Sequence, residues 1–480
     1  MAPCASKTCR WSTACWPSKP LARPLVTPPP AIPAVPGWPL VGNLLQLPRD
    51  RPIQHFMALA RTHGAIFSID FAGAVVPFVC SAELVAEICN EKRFRKLVGP
   101  PLTTLRPLAG DGLFTANGDE PNWALAHRIL IPAFSQRARR LYFDAMHEIA
   151  NQLVANWAQR DGEWLDVSAD MTRLTLDTIA LCGFGQRLES FARPRLHPFV
   201  GAMVRVLDEA MARVARPRWL TRLNWPARQR FKQDIAYLHG VVDDVIRTRR
   251  EAPAEAKDLL GLMLEGADPT SGEKLSDTNM RYQVITFLIA GHETTSGLLS
   301  FALHFLVQHP QVLARARAEV DQVLPPGAIP AYEDLDRLTV IEQVLDETLR
   351  LWPTAPAFSV APLQDETLAA GYRIPKDQRL TVLLPALHRD PAVWERPDEF
   401  DIDRFAPERR GVIPAQAYKP FGNGSRACIG RLFAMMEAKL ALALVLRQFE
   451  LMGEPGYTLR VKETLTLKPD GFRLRVRPRD

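Results

Sequence analysis

The feature that most constrains this chain is a single decapeptide, Phe421-Gly422-Asn423-Gly424-Ser425-Arg426-Ala427-Cys428-Ile429-Gly430. It places one Cys in a tight Gly-rich loop, with an Arg two residues earlier. An apolar helical run, Leu432 to Phe449, follows at once. A thiolate is a strong, soft metal ligand, and a helix N-terminus favours negative charge beside it. The glycines let the backbone approach something flat and let its N–H groups point at the sulfur. Together these properties suit a haem iron held by Cys428, where thiolate donation favours O–O cleavage. Gly422-x-Gly424-x-x-Ala427 also has dinucleotide-fingerprint spacing, but Lys419-Pro420 is a poor strand end to lead into it. A plain buried Cys would need neither the Arg nor three glycines.

The second constraint is a long apolar helix expected over Asn279 to Gln308, interrupted by Ala290-Gly291-His292-Glu293-Thr294-Thr295-Ser296. A Gly, an acid and two Thr inside a buried helix break the local rules, and such breaks tend to mark function. Thr hydroxyls can bond the carbonyl one turn back and open the helix locally. Glu293-Thr294 is then an acid–alcohol pair suited to relaying protons beside the iron. His292-Glu293 suggests the zinc motif H-E-x-x-H, but position 296 is Ser, which excludes it.

Elsewhere the chain reads as mainly helical with a small β portion. Arg51 to His63 reads as a helix, and Ala65 to Cys80 as strand with a hairpin or bulge at Gly73. Helices alternate with short loops from Glu83 to Arg250, broken once at Gly110-Asp111-Gly112. Asn122 to Arg128 opens a helix with Trp123 and His127 on one face, both able to bond a haem propionate. Glu347 and Arg350 lie three apart among apolar neighbours and read as a buried ion pair that Arg404 could join. Strands are expected around Leu380 to Leu384 and within Tyr457 to Val476. No repeat or composition shift marks a second domain.

Charge argues against a nucleic-acid partner. The net charge is +6, but Lys7, Arg10, Lys19 and Arg23 carry +4 of it in an acid-free first thirty residues, leaving +2 for the rest. Residues 1–30, rich in Pro and small residues, read as a disordered leader or a transit peptide. Seven scattered cysteines argue for reduced thiols and a cytoplasmic home. No stretch of eighteen apolar residues is free of charge, so no membrane span is expected.

The spacing Phe421…Gly424-x-Arg426-x-Cys428-x-Gly430 resembles the haem-binding loop of a cytochrome P450, a haem-thiolate monooxygenase. The resemblance covers nearly all of residues 31–480, read as one haem domain. It is closest to the haem domain of bacterial self-sufficient fatty-acid hydroxylases, in which haem domain and flavin reductase share a chain. Runs that carry it include Met171 to Ile179, Phe287 to Ala302, Leu349 to Ser359 and Lys462 to Pro469. The resemblance implies the fold, haem b as cofactor, and insertion of one oxygen atom of O2 into a subterminal C–H bond of a long-chain acyl substrate. By position it implies Cys428 as axial ligand, with Phe421, Gly422 and Gly430 around the sulfur. Lys96, Trp123, His127 and Arg426 match propionate partners, and Thr294 with Glu293 the oxygen-activation pair. Phe114, Leu105, Ala109, Leu207, Ala290, Ala355 and Leu465 match the pocket lining. Glu347, Arg350 and Arg404 match a structural triad.

Two departures stand out. An Arg and a Tyr that fix the fatty-acid carboxylate in that subgroup are replaced by Ala74 and Phe78, so the mouth becomes apolar and uncharged substrates become plausible. The sequence also stops at Asp480, where the relatives' haem domain ends, with no flavin or nicotinamide domain in it. Electrons are therefore expected from a separate flavodoxin- or ferredoxin-type partner, or from a diflavin reductase outside this chain. The basic residues Lys419, Arg426 and Arg431 could face an acidic partner. A peroxide-driven peroxygenase or decarboxylase, and a non-catalytic haem-thiolate sensor, remain open as other classes.

Overall fold

The structure is a computed structural model. It describes residues 30–479, apart from 194–196, 217, 253–257 and 326. The expected leader lies outside the described residues, save Pro30.

The architecture is built on one helix, Asp277–Gln308. Ser276 starts it by accepting the Asn279 N–H, with Asp277 in the first turn where the helix dipole favours an acid. It is apolar on nearly every face and so runs through the middle of the molecule, as such helices do. It packs along Val167–Phe184 and against Leu102–Ala109, Thr339–Leu351 and Arg431–Gln448. Two glycines permit these contacts. A methyl group at Gly291 would stand 2.8 Å from Ile179, and one at Gly297 would stand 2.6 Å from the Leu467 carbonyl oxygen.

The largest sheet flanks this helical body. Its five strands run in the order Ile66–Phe71, Ala74–Val79, Leu380–Leu383, Ala357–Pro362, Phe94–Lys96. Ala74–Val79 and Leu380–Leu383 are parallel, with Phe78 opposite Thr381, while the other pairs are antiparallel. The expected signal at Gly73 is a two-residue hairpin. Ala72 and Gly73 both have positive φ (55° and 93°), the conformation that matches strand twist. The Gly73 N–H also donates to Asp70 Oδ1 at 2.6 Å. The expected break at 110–112 is a helix end, with Gly110 at φ +48° closing Leu102–Ala109. The expected strands within 457–476 are a small hairpin, Val461–Glu463 with Leu467–Pro469, and the start of Arg473–Pro478.

The central helix shows no opened turn at 290–295; it is continuous from 277 to 308. Thr294 Oγ1 does donate to the Ala290 carbonyl at 2.8 Å, but that bond supplements the helix geometry without unwinding it. The ion pair expected at Glu347 is fully buried. Arg350 donates to it from Nε (2.7 Å) and Nη2 (2.8 Å), Arg404 Nε stands 3.4 Å away, and the Asp401 N–H donates at 2.9 Å. Arg350 also reaches the carbonyls of His388, Pro397 and Glu399 and so ties the helix Thr339–Leu351 to the segment before the Cys loop.

Candidate functional site

The sheet, the central helix and the Cys loop enclose one large cavity of about 2670 Å³, well above the 300–1,000 Å³ usual for a single small ligand. Cys428 lies on its wall. The Cys428 N–H donates to the Phe421 carbonyl at 2.7 Å and so closes the loop behind the sulfur. Gly422 (φ +81°) and Gly424 (φ +57°) take left-handed turns that other residues would strain to adopt. Glu91 pins the loop by accepting from the Ser425 N–H at 3.0 Å. The sulfur is open to the cavity yet enclosed by protein, so Cys428 counts as exposed while burial still pushes its thiol up. The Gly430 N–H and the Arg431 charge pull the other way. A positive metal ion at the sulfur would add to that pull.

Beside Cys428 a set of donors converges. Arg426 stacks over the Trp123 ring (3.9 Å), and Trp123 stacks on His127 (4.8 Å between centroids). Arg426 Nη2 donates to the carbonyls of Ala116 (3.1 Å) and Asn117 (2.5 Å), but its Nη1 is buried with no partner among the described residues. Lys96 Nζ donates to the Phe114 carbonyl at 2.8 Å. Burial, then the Arg426 charge, lowers Lys96 to a pKa of about 7, and burial lowers Arg426 to about 10. His127 is lowered by burial and by Arg426 and Arg128. The acids that act on Arg426 have partners of their own: Arg106 Nη1 holds Glu120 at 2.9 Å, Arg95 lies 3.4 Å from Asp119, and Glu91 accepts from the Ser425 N–H. Cations lowered by burial, with a buried guanidinium N–H left over, form a site prepared for an anionic group.

The central helix forms another part of the wall, presenting Phe287, Ala290, Gly291, Thr294 and Leu298. Glu293 is not on that wall. Its carboxylate turns toward the hairpin 461–469, where Lys468 Nζ lies at 3.2 Å, Thr466 Oγ1 donates at 3.0 Å and His292 Nε2 lies at 3.1 Å. Burial alone would raise its pKa, but Lys468, His292 and Thr466 outweigh burial and hold the carboxyl well below the usual range. Glu293 and Thr294 are thus neighbours in sequence that point to different surroundings.

Phe114, Ala355, Leu465, Ala74 and Phe78 all line the cavity. Leu105, Ala109 and Leu207 do not, which corrects their expected place in the lining. Leu102, Thr103 and Thr104 face the cavity from their short helix, while Leu105, Leu108 and Ala109 face the core. On Pro198–Ala215 the cavity is lined by Asp208, Met211, Ala212, Arg213 and Val214, while Leu207 is buried in the core. Ala74 and Val75 are exposed as well as cavity-lining, so the cavity reaches the surface there. Lys468, Thr466 and Glu91 were not singled out from sequence. Lys468 falls in the run Lys462 to Pro469, but its pairing with Glu293 carries no local signal.

The cytochrome P450 family profile matches residues 32–476. This chain belongs to the cytochrome P450 family. A crystal structure of the cytochrome P450DA heme domain superposes with a TM-score of 0.90 at 50% identity, covering 95% of this chain and 99% of that one. A bifunctional cytochrome P450/NADPH–P450 reductase of Bacillus subtilis is 48% identical over 454 residues, covering 94% of this chain and 43% of that protein. A self-sufficient cytochrome P450 monooxygenase of Phanerodontia chrysosporium is 42% identical over 454 residues, covering 94% and 43%. The chain thus spans less than half the length of these curated relatives. Cytochromes P450 carry haem b, and the residues present fit it: a cavity-facing thiol, glycines where the backbone approaches closely, and an orphaned buried Arg426 Nη1 among cations.

Proposed function

We propose that residues 31–480 form one haem domain that inserts an oxygen atom of O2 into a subterminal C–H bond of a long-chain fatty acid or related apolar acyl compound. The observation that carries this reading is that Cys428 and Thr294 both line one cavity whose remaining lining is largely apolar. Haem, when bound, supplies the oxygen-activating and electron-accepting chemistry. Cys428 would ligate its iron through Sγ, and Arg426, Lys96, Trp123 and His127 would hold its propionates. Phe421 and Gly430 shape the pocket around the sulfur. Gly422 turns the loop, and Ala290 leaves room on the wall formed by the central helix.

Thr294 holds a proton at Oγ1, now given to the Ala290 carbonyl. Rotation about its Cα–Cβ bond would redirect that hydrogen bond into the cavity. The ionised Glu293, one residue away, would join the relay by turning from Lys468 to water, taking a proton from that water and passing it on toward Thr294 Oγ1. Phe114, Ala355, Leu465 and Phe78 restrict where an acyl chain can lie, so only the carbons they leave in reach would react. Apolar walls also exclude water from the reacting end.

Electrons would come from an NADPH-dependent diflavin reductase, or from a flavodoxin- or ferredoxin-type donor, docking near Lys419 and Arg431. Cys80, Cys89 and Cys182 are free thiols, and among the described residues no helix is long and apolar enough to cross a membrane. Both observations support a cytoplasmic setting.

The test is turnover of the haem-loaded chain with a diflavin reductase, NADPH and a C16 fatty acid under 18O2. The expected product is a hydroxy acid carrying one heavy oxygen near the chain end. Product formed with peroxide alone and none with reductase would overturn the monooxygenase reading. NADPH-independent ligand binding with no product by either route would make the chain a sensor.

A further inference from the structure

The replacement of an Arg by Ala74 and a Tyr by Phe78 leaves β-strand Ala74–Val79 without charge at the cavity mouth. Its ring, Phe78, is also occupied, packed on Phe67 (5.5 Å) and Phe56 (4.7 Å). The neighbouring strand supplies what this one lacks. Phe78 pairs in parallel with Thr381, so continuing that register sets Arg379 beside Val76, two residues from Ala74. Gln378 confirms the proximity by donating from Nε2 to the Val75 carbonyl at 2.8 Å. Residues two apart share a face of a strand, so Arg379 projects on the side of Thr381, which lines the cavity.

Arg379 is a half-buried guanidinium on the cavity wall with no hydrogen bond or ion pair among the described residues. Its neighbours are committed elsewhere. Asp377 pairs with Arg95 at 3.0 Å, and Thr381 bonds Ser359 at 3.0 Å. Glu463, further along the wall, accepts from the N–H groups of Ile53 (2.5 Å) and Gln54 (3.1 Å). The guanidinium lies against Gly99, where a methyl group would overlap it, so the loop before Leu102–Ala109 makes space for it. Burial alone lowers its pKa, with no charged neighbour contributing. A desolvated guanidinium offers five donors in a planar fork that fits a carboxylate bidentately, and leaving it unpaired is costly.

We propose that Arg379 is the anchor for the substrate's carboxylate, a charged subsite at the mouth that stands in for the Arg and Tyr lost at 74 and 78. The inference rests on the acyl-substrate reading above and sharpens it. A carboxylate held at the mouth sends the chain inward, so the carbons brought toward Cys428 are those remote from the head group.

The experiment compares palmitic acid with palmitamide by binding titration, using haem-loaded wild type, R379A, R379Q and R379K. Wild type should prefer the acid. R379A and R379Q should weaken acid binding about tenfold, as loss of a charge-assisted hydrogen bond does, and leave amide binding unchanged. R379K should restore part of the preference, and added salt should weaken the acid but not the amide. The amide reports that the pocket is intact in each variant, and R379Q covers any failure of R379A to fold. An unchanged acid-to-amide ratio in both variants would overturn the role of Arg379 while leaving the substrate class standing. Failure of wild type to bind either compound would overturn the acyl reading and this inference with it. A parallel loss of haem content would reassign the guanidinium to a propionate and overturn the inference alone.

Discussion

Replacing Lys468 with Met tests whether the charge of Glu293 depends on its partner across the hairpin. The two groups stand 3.2 Å apart and both are largely buried. At an effective dielectric of 20 the attraction is about 5 kcal/mol, and breaking such a pair from one side costs about 3–5 kcal/mol. For a 480-residue chain the entropy of unfolding is about 1 kcal/mol per degree, so the melting midpoint should fall by about 3–5 °C at pH 8.

The pH dependence identifies the cause. In the wild type the folded pKa of Glu293 is depressed. Its contribution is present above the unfolded carboxylate range and is lost as pH falls below about 4.5. In K468M burial dominates and the folded pKa rises above that range. Stability is then lost as pH rises through it, and the deficit against wild type should shrink from pH 8 toward pH 5. The double variant E293Q/K468M should recover most of the deficit at pH 8. Urea unfolding at pH 8, 6.5 and 5 measures all three proteins. A deficit that does not change with pH, or a double variant no better than the single, would refute the account.

Two further outcomes follow from buried charge elsewhere. E347A should cost about 3–5 kcal/mol, because it leaves fully buried Arg350 without its carboxylate; urea midpoints should show E347Q, which can still accept from the Asp401 N–H, losing less. His304 lies edge-on to Phe472 (5.2 Å) with Nδ1 buried and unpartnered among the described residues, and burial, with His309 adding, lowers its pKa to about 4. The folded state keeps it neutral while the unfolded chain protonates it. The wild type should therefore lose up to about 3 kcal/mol between pH 6.5 and 4 through this residue, and H304F should lose less in urea titrations across that window. His388, lowered to about 3, adds a similar loss that H304F leaves in place.

The Cys loop and the central helix were legible because each packs its signal into a few adjacent residues: one thiol among glycines, one polar break in an apolar run. The hairpin at Gly73 was legible for the same reason. The buried triad was legible in part: Glu347 and Arg350 share one helix face, while Arg404, far along the chain, was only a candidate until the resemblance matched it. What stayed hidden depends on contacts between distant segments. Nothing near Glu293 announces Lys468 or Thr466, so the sequence offers the acid only as Thr294's partner in an acid–alcohol pair. Helical spacing shows that Leu105, Ala109 and Leu207 lie on apolar faces but not whether a face meets the core or the cavity. The opened turn was inferred from hydroxyl chemistry, yet Thr294 bonds Ala290 without displacing the helix.

The close approaches at Gly291 and Gly297 also bear on how such a chain can diverge. Both positions are closed to even a methyl group, one by Ile179 and the other by the Leu467 carbonyl, and they bracket Glu293 and Thr294. Ala290 and Ala355, by contrast, face the open cavity. Mutational drift at the alanines can therefore enlarge or narrow the cavity without touching the close contacts on either side of Glu293 and Thr294. Lineages of this fold can trade substrates at the alanines, whereas a change at either glycine must first displace Ile179 or the backbone at Leu467.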